Sequence, residues 1–121
     1  MTASAEPASV EFPDYVHLHE APEFDQWSCH FDVGEPRTAE SVAELGHEPN
    51  GYFWAGVVQR LVDLGELPEV EADPEGDTFI AYGSRPLMER LARTLVPYLT
   101  DPNALTALVT AADADGFDFD D

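Results

Sequence analysis

Hydrophobic and polar positions follow two periods along this chain, and each change of period marks an element. From Tyr15 to His19 they alternate, with Val16 and Leu18 on one face and the ring residues on the other. A period of two predicts a strand, and Ala21-Pro22 ends it. A second run, Gln26 to Val33, is rich in aromatic and β-branched residues and closes at Gly34. The short spacing makes the two runs neighbours, paired antiparallel. Residues 38–45 predict a short helix with Thr38 as N-cap, Glu40 and Glu44 exposed and Gly46 as its stop. The clearest helix begins at Asn50-Gly51. Trp54, Val57, Val58, Leu61 and Val62 form its apolar stripe, Asn50 caps it and Gly65 ends it.

Period two then returns. Pro68 to Asp73 reads as a strand, Pro74-Glu75-Gly76 as a turn and Asp77 to Gly83 as a second strand. Phe79 and Ala81 fall on one side of that strand, Ile80 and Tyr82 on the other. Ser84 caps a third helix with Pro86 in its first turn. Leu87, Met88, Leu91, Leu95 and Val96 form its stripe, and Pro97 stops or kinks it near the end. Asp101-Pro102 starts a last helix with Leu105, Leu108, Val109 and Ala112 inward. An acidic tail with two aromatics, Asp113 to Asp121, follows. The expected fold class is α+β: a small, roughly four-stranded antiparallel sheet with three to four helices packed on one face. Residues 1–13, small, polar and Pro-bearing, are expected to be a flexible arm, and residues 14–121 a single domain.

Composition sharpens this picture. The hydrophobic fraction of 44% supports a real core. The net charge is −20, from 25 acids against 5 Arg and no Lys. Phosphate recognition needs clustered cations, so direct binding of DNA or RNA is excluded. A basic partner would instead be steered to the surface. No apolar run reaches the roughly 20 residues of a membrane span. The segment Met1–Val10 lacks the basic and apolar parts of a signal peptide, and the single Cys29 forms no internal disulfide, so a cytoplasmic location is expected.

Candidate chemistry is sparse. His17 and His19 share a face, and Cys29-His30 follows on the next strand, a set that could in principle hold zinc. No recognised zinc spacing is present, and no metal site is expected. Cys29 and His30 point to opposite faces, so His30 is badly placed to activate the thiol, and a buried inert cysteine is expected. Asp113-Ala114-Asp115-Gly116 has its glycine too early for a calcium loop. Asp73, Glu75 and Asp77 bring carboxylates together on a turn that is expected to be solvated. No nucleotide, hydrolase or metalloprotease motif occurs. No catalytic residue and no cofactor are expected. Tyr52 or Trp54, if left exposed, would suit an interface anchor.

Three segments, taken together, carry a resemblance. They are Gly46-His47-Glu48-Pro49-Asn50-Gly51-Tyr52-Phe53-Trp54, Asp73-Pro74-Glu75-Gly76-Asp77-Thr78-Phe79 and Gly116-Phe117-Asp118-Phe119-Asp120-Asp121. In this order and over this length the chain resembles the immunity protein 51 family of bacterial polymorphic toxin systems. The resemblance implies a non-enzymatic cytoplasmic protein that binds and neutralises a cognate toxin domain. Acidic character adds that such a toxin is basic, and it makes Asp73, Glu75, Asp77, Asp118, Asp120 and Asp121 the candidate contacts. The alternative is a small acidic regulatory or structural protein-binding domain without a toxin partner.

Overall fold

The structure, a computed structural model, describes residues 12–21 and 26–119. The elements are β1 (His17–Ala21), β2 (Gln26–Asp32), α1 (Ala39–Glu44), α2 (Gly51–Asp63), β3 (Glu71–Ala72), β4 (Thr78–Gly83), α3 (Arg85–Thr100) and α4 (Pro102–Ala114). The four strands form one antiparallel sheet in the order β1-β2-β4-β3. Of the expected arm, residues 1–11 lie outside the described residues, and Phe12 is half-buried against the core.

Alternation along the strands produces two unlike faces. Cys29, Phe31, Phe79 and Ala81 point inward and are fully buried. Leu18 stands opposite Cys29, which stands opposite Ala81, so one inward row crosses three strands. The helices cover this face: α3 lies against β1, β2 and β4, α2 against β4, and α4 packs on α3 and α1. The opposite face carries His17, His19, Ser28, His30, Ile80 and Tyr82, all exposed or half-buried. The architecture is therefore the expected α+β sheet with helices on one side.

Local signals set most boundaries. Asn50 Oδ1 accepts from the Phe53 amide at 2.8 Å, Ser84 Oγ from Leu87 at 3.2 Å and Asp101 Oδ1 from Asn103 at 3.0 Å. Each side chain satisfies a backbone donor that a helix start leaves open. Gly46 and Gly65 end α1 and α2 at φ +88° and +81°, in the left-handed region.

Four local expectations are corrected. Thr38 does not cap α1 with its side chain. Its hydroxyl is fully buried and reaches the carbonyls of Tyr98 (2.8 Å) and Leu99 (3.2 Å), which the last turn of α3 leaves open. Pro97 does not stop α3, which runs on to Thr100. The amide that Pro97 lacks would bond to the Arg93 carbonyl, and both residues are exposed, on the solvent side of the helix. Tyr15 lies in a turn rather than in β1, and the Val16 amide bonds to Pro13 O at 3.0 Å. The run from Pro68 yields only Glu71–Ala72 as strand, paired with β4 at the edge of the sheet.

Candidate functional site

The first helix turn of α2 is where sequence-remote segments meet. Gly51 has no side chain because the Asp73–Asp77 turn sits on it: a Cβ there would collide with the carbonyl oxygens of Glu75 and Thr78. The Gly51 amide points at Gly76 O, 3.4 Å away, and the turn is closed by the Glu75 amide on Thr78 O at 2.8 Å. One helical turn later, a Cβ on Gly56 would meet Phe119 O at 2.8 Å. The segment after α4 therefore lies directly against α2.

That segment is fastened down, although its composition reads as an acidic tail. Phe119 is 1% exposed. Its ring stacks on Phe53 at 5.2 Å between centroids and meets His47 edge-on at 4.9 Å. Burying such a ring contributes roughly 1.5–3 kcal/mol. Polar side chains hold the approach to it. Arg60 of α2 pairs with Asp115 and lies 5.7 Å from the centre of the Phe117 ring. His47 Nε2 lies 3.1 Å from both carboxylate oxygens of Asp113. Gly116, at φ +79°, lets the chain reverse after α4.

Between these fastened parts runs an open groove of about 450 Å³, lined by Tyr52, Ala55, Gly56, Gln59, Pro74, Phe117, Asp118 and Phe119. Tyr52, 43% exposed, stands at its wall, while its neighbours Phe53 and Trp54 are fully buried. The condition set on the aromatic pair is thus met by Tyr52 and not by Trp54. Asp73, Glu75 and Asp77 are exposed on the turn at one side, and Asp118 is exposed on the other. Asp120 and Asp121 lie outside the described residues. Sequence reading missed Ala55, Gln59 and Pro74. Their signal was that Ala55 and Gln59 stand off the apolar stripe of α2, one turn apart and in line with Tyr52.

The cysteine and histidines separate. Cys29 is fully buried, and burial pushes its thiol up to about 12, which leaves almost no thiolate at neutral pH. His17, His19 and His30 gather on the other face. Beside them a cleft of about 460 Å³ is lined by Asp14, Tyr15, His17, His30, Asp32 and Glu35. Burial, then the neighbouring His17 and His19, lower the pKa of His30, and Asp32 opposes them. Burial, then Glu35, raise that of Tyr15.

Among the described residues, no helix is long and apolar enough to cross a membrane. No family model, no curated protein and no solved structure matches the chain.

Proposed function

We propose that this chain is an immunity protein, a cytoplasmic, non-enzymatic inhibitor that binds a cognate bacterial toxin domain and so protects the producing cell. One observation carries the reading. The three segments on which the family resemblance rests are far apart in sequence, yet they pack against one another around the start of α2. The groove they frame has the composition of a protein-docking surface: an exposed tyrosine and apolar walls at the centre, carboxylates at the rim.

Physics assigns the parts different work. Tyr52 is a rigid aromatic anchor of the kind that dominates affinity. Asp73, Glu75, Asp77 and Asp118 act mainly on the rate of encounter, drawing in a basic toxin surface with the help of the net charge of −20. Asp120 and Asp121, candidate contacts by sequence, contribute to the net negative charge. Toxins that act on nucleic acid carry such basic surfaces, because their substrate is a polyanion.

The test is co-expression with the toxin encoded by the neighbouring gene, scoring growth and co-purification. Rescue with a stable complex, and association that slows as salt rises, are expected. With an active toxin and a folded protein, absence of both rescue and complex would replace this reading with that of an acidic regulatory domain without a toxin partner.

A further inference from the structure

The groove beside α2 joins two surfaces that ask for different things of an occupant. Its walls are rings and short aliphatic groups: Tyr52, Ala55, Pro74, Phe117 and Phe119. Its borders are anionic, with Asp73, Glu75 and Asp77 exposed on the turn and Asp118 exposed on the segment after α4. Among the described residues, no cation pairs with Asp73, Glu75 or Asp77. An aliphatic occupant would cover carboxylates without giving them a partner, and an acidic one would be repelled. A side chain with an apolar stem and a cationic head satisfies both surfaces at once. We propose, resting on the immunity reading for the identity of the partner, that the groove recognises an arginine of the toxin's basic surface, its stem against Tyr52 and Phe117 and its guanidinium at Gln59 and the carboxylate rim.

Three features select arginine over lysine. Tyr52 is 43% exposed and Phe117 lines the same groove, so aromatic surface is open to a planar group. A guanidinium stacks on such rings and sheds water more readily than an ammonium does. Gln59 supplies an oriented acceptor. Its Nε2 donates to Asp63 Oδ1 at 2.9 Å, which fixes the amide and leaves its oxygen to accept a bond at the groove wall. The five donors of a guanidinium reach that oxygen and a rim carboxylate together. The chain also contains the same combination once already: Arg60 lies 5.7 Å from the centre of the Phe117 ring while its head pairs with Asp115. The volume of about 450 Å³ admits one long side chain, and the small Ala55 and Gly56 at the wall let it approach α2 closely.

The net charge of −20 attracts any cation, so the test compares ligands of equal charge. The ¹⁵N-labelled full chain is titrated with acetyl-Gly-Arg-Gly-amide, and in parallel with the lysine and leucine peptides of the same form, at about 0.15 M salt. Saturable shifts at the amides of Ala55, Gly56 and Gln59 are expected with the arginine peptide, which should bind about 5-fold or more tightly than the lysine peptide and more tightly still than the leucine peptide. Tyr52→Ala should weaken the arginine peptide by a similar factor, Gln59→Leu should shrink its advantage over lysine, and Glu20→Gln, which removes one charge from the far edge of the sheet, should change neither. The dispersion of the amide spectrum shows that each variant folds, and should Tyr52→Ala not fold, the Gln59→Leu comparison decides. Equal binding of the arginine and lysine peptides, a leucine peptide that matches arginine, or shifts spread over the acidic surface would overturn the proposal. Co-expression reads the immunity function separately: rescue without arginine recognition removes only the ligand of the groove, and arginine recognition without rescue removes only the toxin.

Discussion

The corner at the start of α2 and the open face of the sheet are held in place by different means. In the corner, position comes from burial: Phe119 lies under Phe53 and His47, and the turn rests on Gly51 with no room for a methyl group. On the open face, position comes mainly from backbone pairing. His17, His19 and His30 stand where the β1–β2 register puts them, the first two exposed and the third half-buried. Stability and candidate function are thus interlocked in the corner. A substitution that bears on the groove changes the fold unless it strikes the exposed wall, whereas the histidines are replaceable at little structural cost.

The largest effect is expected at the ring that closes the corner. Phe119→Ala should destabilise the protein by about 3–5 kcal/mol in urea unfolding, and loss of less than about 1 kcal/mol would mean that the segment after α4 is not held as described. Next is Gly51→Ala, where the neighbours are backbone carbonyls that cannot rotate away; overpacking of about 1–3 kcal/mol is expected, measured the same way. Tyr52→Ala should divide the two properties. Stability should change by no more than about 0.5 kcal/mol, while toxin affinity should fall by about 2 kcal/mol or more. Equal affinity of wild type and variant would remove Tyr52 from the interface.

The smallest effect concerns pH and the open face. The folded-state pKa of His30 lies below the ordinary 6.5. As pH falls through 6.5 the unfolded chain takes up the proton first, so acidification costs stability from there down to the lowered folded value, and raising the pH restores it. His30→Gln should flatten this part of the stability–pH curve and leave the midpoint near pH 8 almost unchanged. An unaltered curve between pH 7 and pH 5 would show that burial and the neighbouring histidines do not hold His30 neutral.

What was legible in the sequence follows the range of each interaction. Asn50, Ser84 and Asp101 were readable as caps because a cap contacts an amide two or three residues ahead. Gly46 and Gly65 were readable as stops for the same reason. Thr38 had the right local pattern for a cap, but its hydroxyl is taken by the end of α3, a partner that no short window contains. Strand order depends on which apolar faces coincide in three dimensions, and so β4 between β2 and β3 was out of reach. In the candidate site, the carboxylates of the turn were legible from turn chemistry. Their meeting with residues 117–119 was not, because Phe119 sits among acids and carries no periodic signal. The histidines were legible as a set, His17 and His19 from the alternation and His30 from the next strand, and the register adds that His30 stands opposite His17 while Cys29 points into the core.

The place of Phe119 also orders events during synthesis. Its partners His47, Phe53 and Gly56 emerge from the ribosome long before it does. Until the segment after α4 is free of the exit tunnel, one side of α2 stays uncovered and the nascent chain offers bare aromatic surface to chaperones or to other chains. Closure of the core is then a late, long-range step, so the groove framed by residues 117–119 exists only on chains whose translation has passed that point.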